Sequence, residues 1–253
     1  MLDFETHGHV AVLRLNRPEA RNAINGAVAT AMEEGLDRLE SDDELWLGII
    51  AGAGPVFSAG ADLKEIAAGN GGALGTKRGG FGGITSRERT KPLIAAVDGP
   101  ALAGGTEIAL SCDMIVASRE ARFGIPEVKR SLVAAAGGLF RLPRTLPPNI
   151  AMEAALTGDP ISAERAHHFG LVNELCEPGR AEATALALAA RIEANAPLAV
   201  RESRRVMLAS ALADDETGFR LSNEAMGRLM KTNDFSEGPL AFIEKRSPNW
   251  SGT

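Results

Sequence analysis

The chain has 253 residues, 45% of them hydrophobic and 24% charged, with a formal net charge of −6. That length and apolar content can bury a substantial core, in one large domain or one domain with an appendage. The acidic balance gives no attraction to nucleic acid or an anionic membrane, which leaves catalysis or protein binding as the better-fitting roles.

At the start, Asp3 and Glu5 stand where a signal peptide carries basic residues and an apolar run. No later stretch stays apolar for the roughly 18 residues that a membrane span needs, so neither export nor membrane insertion is expected. Cys112 and Cys176 lie far apart without metal-ligand spacing, so the expected location is a reducing cytoplasm and no structural zinc is expected. A hairpin is predicted around His7-Gly8-His9, with Val10 to Leu15 as its second strand. From Gly26 to Glu40 the apolar residues Val28, Met32, Leu36 and Leu39 trace one helical face. Trp46 to Gly52, Leu93 to Gly99 and Met114 to Ser118 read as buried strands, and their alternation with helices predicts an α/β layer structure. Between Gly69 and Gly83, eight of fifteen residues are glycine, which predicts a mobile surface loop because glycine loses the most backbone entropy on ordering. Helices dominate from Gly137 onward, and after Ala196-Pro197 three are predicted, near Leu198 to Leu212, Asp214 to Met230 and Phe235 to Lys245. They form a helical region over residues 197–253, separate from a core over 1–196.

Two motifs carry chemistry. In FSAGADL, Phe57 to Leu63, a strand runs into a helix opening near Ala61 or Asp62, so unpaired amides face outward. In GPALAGGTE, Gly104 and Gly105 precede Glu107 at a second such junction, and glycine lets a ligand oxygen approach the backbone. Each turn alone is also what tight packing would use, and Asp62 or Glu107 alone would be an ordinary first-turn acid. Two amide-presenting turns in one chain instead suggest a two-donor oxyanion hole. GAGPVF fails as a dinucleotide fingerprint, since Phe57 replaces the third glycine. The four histidines have no triad or ligand partner in the sequence, and Glu127, beside Lys129 and Arg130, would by itself read as solvated.

FSAGADL, GGTEIALSCD and FGIPE, in this order and at these intervals, resemble the crotonase superfamily, the enoyl-CoA hydratase/isomerase family. The resemblance spans nearly the whole chain, from LNRPEARNAI at Leu15 through GLVNEL at Gly170 to AFIEKRSP near the end. It implies an α/β spiral of ββα units followed by a helical region that packs trimers, often paired into hexamers. It also implies that the amides of Ala61 and Gly104 hold a thioester oxygen, with Ala59, Gly60, Asp62 and Leu63 around the substrate. Glu107 and Glu127 occupy both hydratase glutamate positions, so addition of water to a 2-enoyl-CoA is the expected reaction. Water is a poor nucleophile and an α-carbon a weak acid, so one carboxylate must take a proton while one carboxylic acid gives one. Glu107 is assigned to activating water for attack at C3 and Glu127 to protonating C2.

No metal is expected, because the enolate charge rests on backbone donors, and no separate cofactor, because coenzyme A is part of the substrate. The run Ala134-Ala135-Ala136-Gly137-Gly138 departs from the PGAGG of straightforward hydratases, and Ala135 puts a methyl near the acyl β-carbon. That stretch looks closer to a carnitinyl-CoA dehydratase branch. An isomerase, or a non-catalytic scaffold or nucleic-acid-binding relative, are the other readings. For the CoA phosphates the candidates are Arg17, Arg21, Lys77, Arg78, Arg87, Arg89 and Lys91, with Lys245 as a contact from a neighbouring subunit.

Overall fold

The computed structural model describes residues 1–253. β1 (Leu2–His7) and β2 (Val10–Leu15) form the expected antiparallel hairpin, with Leu2 opposite Leu15. α1 (Gly26–Ser41) begins where the Asn25 side chain accepts the Val28 N–H, and it buries Val28, Met32, Leu36 and Leu39 as its periodicity requires. Next come β3 (Leu47–Gly52), the single-turn α2 (Leu63–Ala67) and a small ribbon of β4 (Gly75–Thr76) with β5 (Gly80–Phe81). β6 (Leu93–Val97), β7 (Ala101–Leu102), α3 (Gly104–Ala109), β8 (Met114–Ser118) and β9 (Arg122–Gly124) lead to a 3-10 turn at Pro126–Arg130. α4 (Gly138–Thr145), α5 (Pro148–Thr157), β10 (Ile161–Ser162), α6 (Ala163–His168) and β11 (Glu174–Cys176) follow. The chain ends in α7 (Ala181–Glu193), α8 (Pro197–Ser210), α9 (Asp215–Leu229) and α10 (Asn233–Glu244).

The main sheet runs β1-β2-β3-β6-β8-β11, parallel beyond the opening hairpin. Its alternation is visible residue by residue. Leu13, Leu15, Ile50, Ala95 and Val97 join the core shared with α1, while Val10, Val12, Ile49, Ile94 and Val116 pack under α7. Burial on both faces is why these strands read as continuous apolar runs rather than alternating ones. The α7 contact is made by Ala181, Ala185, Leu188 and Ala189, and small side chains let that helix lie close to the sheet.

Successive passes repeat one unit, as the ββα expectation requires. After β3, Ser58 bridges Ala101 before α2; after β6 comes β7 and then α3; after β8 comes β9 and then the 3-10 turn. β7, β9 and β10 form a second, three-stranded sheet, and the turns leaving it build the site.

One expectation is corrected. The glycine-rich stretch is no open loop: it holds a 3-10 turn at Gly71–Leu74 and the β4–β5 ribbon, with Leu74 buried. A Cβ on Gly83 would lie 2.2 Å from the Ala29 carbonyl oxygen, so glycine there serves close packing against α1 rather than freedom. The helix-dominated second half also supplies β10 and β11, the latter closing the main sheet beside β8. No helix is long and apolar enough to cross a membrane.

Candidate active site

A cavity of about 1160 Å³ opens where the ββα turns converge. Its near wall is made by the segment after β3. Asn22, fully buried, accepts the Arg17 N–H at 2.8 Å and donates to the Ala53 and Val56 carbonyls at 2.9 and 2.7 Å, tying two loops together. Ser58 Oγ donates to the Asn22 carbonyl and accepts the Gly60 N–H, fixing the turn that follows. Ile24 N–H donates to the Gly60 carbonyl and Asp62 N–H to the Ile24 carbonyl. This pairing leaves the Ala61 N–H on the side away from Ile24, with no acceptor in the chain.

Gly60 has φ of +83°, and a Cβ there would stand 2.7 Å from the Gly104 nitrogen. The two turns therefore touch through bare backbone. Gly104 is the first residue of α3, and its N–H likewise meets no acceptor in the chain. Ala103 just before it has φ of +52°, a left-handed value held where the cavity wall bends. Thr106 fixes α3 from behind: its hydroxyl lies 2.6 Å from the Ala101 carbonyl and 2.9 Å from that of Gly124, and it accepts the Gly124 N–H.

Glu107 and Glu127 both line this cavity. Glu107 is buried, and its Oε1 accepts the Gly138 N–H at 3.0 Å. Burial raises its carboxyl above the usual range, offset in part by that amide, the nearby Ala136 amide and the Arg141 charge. Glu127 sits in the 3-10 turn after Pro126, half-buried, with Oε2 enclosed and without a partner. Burial raises its carboxyl too, and the charge of Glu107 raises it further. Two carboxyls that disfavour each other's ionisation thus face one space.

Of the other expected residues, Ala59, Asp62, Leu63, Ala135 and Arg21 line the cavity, and Gly60 backs it. Asp62 also caps α2 through the Lys64 N–H and pairs with Arg17 at 3.2 Å. Lys245 is exposed at the end of α10 and is not among the lining residues. Several of the phosphate candidates already have partners within the fold. Arg87 pairs with Asp37, Arg89 with Asp113 at 2.6 Å, and Lys91 donates to the Leu39 and Asp42 carbonyls. Arg78 also pairs with Asp37, at 2.6 Å. The cations that line the cavity without an acidic partner are Arg21, Lys64 and Arg130. Sequence reasoning missed Asn22 and Arg141. Asn22 adopts φ of +52°, a conformation asparagine tolerates better than most residues, which was the one available signal; Arg141 had none.

The spiral and the paired carboxyls beside two free amides are those of the crotonase class of acyl-thioester enzymes. The chain belongs to the enoyl-CoA hydratase/isomerase family, whose pattern matches residues 5–253. It is 38% identical over 252 residues to enoyl-CoA hydratase EchA19 of Mycobacterium tuberculosis, covering 97% of this chain and 94% of that protein. It is also 38% identical over 257 residues to the carnitinyl-CoA dehydratase of Proteus mirabilis, covering 99% and 98%. The crystal structure of an enoyl-CoA hydratase from Mycobacterium tuberculosis superposes with a TM-score of 0.96 at 48% identity, covering 100% of this chain and 99% of that one.

Proposed function

We propose that this enzyme adds water reversibly to a 2-enoyl-CoA, giving the 3-hydroxyacyl-CoA. The supporting observation is the conjunction of two unpaired amides, Ala61 and Gly104, with two carboxyls of raised pKa in one cavity. The amides receive the thioester oxygen as it gains enolate charge. Each such donor is worth about 3 to 4 kcal/mol of transition-state stabilisation, so the backbone supplies a large share of the catalysis and the scheme calls on no metal or separate cofactor. Glu107 takes a proton from water as its oxygen bonds to C3, and Glu127 gives its proton to C2; the reverse steps dehydrate. The net change is one water added, with both carboxyls returned to their starting states after one proton exchange.

The acyl wall consists of Leu132, Val133, Ala135 and Phe140, which favours an apolar chain over the charged one of a carnitinyl thioester. Arg21 and Lys64, at the α2 side, are the cations available to CoA phosphates. Copies of the chain meet through α8–α10 in trimers or dimers of trimers, bringing Lys245 to a neighbour's CoA, and the two free cysteines suit a reducing cytoplasm. Incubation with a conjugated enoyl-CoA in ¹⁸O-water tests the reaction. Label at the C3 hydroxyl supports hydration. A shifted double bond without label would replace this reading with isomerisation, and a carnitinyl thioester turned over faster than any alkyl one would overturn the acyl assignment.

A further inference from the structure

Arg141, on α4, stands behind Glu107 and outside the cavity lining. Its Nη2 donates to the Thr85 carbonyl at 2.7 Å, and its Nη1 to the Ala136 carbonyl and to Ser111 Oγ, both at 3.2 Å. Ser111 Oγ in turn donates to the main-chain oxygen of Glu107 at 2.7 Å. Gly137, with φ of +120°, lies flat against the guanidinium: a Cβ there would be 2.1 Å from Nη1. The next amide, that of Gly138, is the one Glu107 accepts. One guanidinium therefore gathers three segments around one carboxyl: the turn after β5, the end of α3, and residues 136–138.

We propose that Arg141 is a positioning residue that keeps Glu107 the ionised member of the pair and leaves the shared proton on Glu127. The proposal rests on the hydratase reading of the site and gives its two carboxyls unequal starting states. Glu107 has a fixed amide donor from another segment and a cation behind it, whereas Glu127 has only its own backbone amide and the exposed Arg130, and its Oε2 is enclosed without a partner. Two neighbouring carboxyls that cannot both ionise freely place the proton on the less stabilised one. The other charges nearby do not reverse this order. Arg130, beside Glu127, is exposed and screened by water. Arg89, near Arg141, is neutralised by Asp113, and Arg144 lies against the Phe140 ring. The Cys112 thiol, pushed up to about 12 by burial, carries no charge near neutrality.

The test is carboxyl-carbon NMR titration of the whole protein with ¹³C-labelled glutamate, together with kinetics on an enoyl-CoA. In the wild type, Glu127 is expected to titrate above Glu107; the opposite order overturns the proposal without any variant. Arg141→Gln is expected to raise the Glu107 midpoint by about one unit, a tenfold change in its protonation equilibrium, and to shift the acid limb of the kcat–pH profile up by the same amount with KM within about twofold. Arg141→Lys keeps the charge and is expected to restore the midpoint. A folded Arg141→Gln protein with an unmoved Glu107 midpoint would overturn the proposal. If the titration order holds but no enoyl-CoA is hydrated, the hydratase reading fails and the positioning role stands.

Discussion

Between the two free amides stands Gly60, whose left-handed φ and 2.7 Å approach to Gly104 leave no room for a Cβ. In Gly60→Ala the backbone must shift by several tenths of an ångström, carrying the Ala61 amide with it. Steady-state kinetics are expected to show kcat down about a hundredfold, the scale of losing one oxyanion donor, with a smaller effect on KM; unchanged kcat would remove Ala61 from the mechanism. The two glutamates carry a second consequence. Their folded-state carboxyls titrate above the unfolded value, so ionising them disfavours the fold, and stability falls as pH rises through that window. Glu127→Gln removes the ionisation. It is expected to lower turnover at least about a hundredfold yet raise Tm at pH 7 slightly, by no more than about 2 °C, because solvent screening of this half-exposed carboxyl weakens the penalty. Below the unfolded carboxylate range both proteins are neutral there, and the difference should vanish; a gain that grows on acidification would contradict the sign. At this scale the motif residues were legible because their neighbours in sequence are also their neighbours in space. Arg141 was not, because it reaches Glu107 across a 34-residue separation through Ser111 and Ala136.

The elements that hold the site are short, and long-range bonds rather than helix propensity keep them in place. α3 has only six residues, too few to be stable alone. What fixes it is Thr106, buried and bonded to β7 and β9 at once. Thr106→Val keeps the shape and removes the hydroxyl, and with it one donated and one accepted buried bond. Denaturant unfolding is expected to show a loss of about 1 to 3 kcal/mol, the worth of two buried hydrogen bonds, and a loss below about 0.5 kcal/mol would mean α3 is held by something else. Legibility at this scale followed burial. β3, β6 and β8 were readable because both faces are covered, which writes an apolar run into the sequence. β10 and β11, two and three residues long, carry no period to read. The glycine-rich stretch misled because composition records the entropy of a segment but not its contacts, and Gly83 meets α1 through backbone atoms that no pattern announces.

Across the whole molecule, the region from α8 to α10 carries the most exposed of the large apolar side chains. Arg204 on α8 joins Arg89 in gripping the Asp113 carboxylate, and the last residues fold back, with Trp250 Nε1 donating to the Ala194 carbonyl and Asp234 accepting the Ser251 and Gly252 amides. Burial alone would raise the Asp113 carboxyl, but the two arginines outweigh it and hold it below the usual range, so this anchor weakens only as acid approaches that lowered value. The helices are thus tied to the core, yet they expose Met207, Phe219, Phe242 and Ile243, each more than 70% accessible. Monomeric proteins seldom leave so many large apolar side chains in water on neighbouring helices, and covering them with other copies removes that cost. Analytical ultracentrifugation is expected to show three or six chain masses, and Phe219→Glu with Phe242→Glu to show one. If closure also brings Lys245 to a neighbour's CoA, Lys245→Ala and the dissociated double variant share a signature: KM for the enoyl-CoA several-fold higher, about the worth of one charge-assisted phosphate contact, with kcat retained in the lysine variant. A wild-type monomer with full activity would separate the helices from both assembly and catalysis.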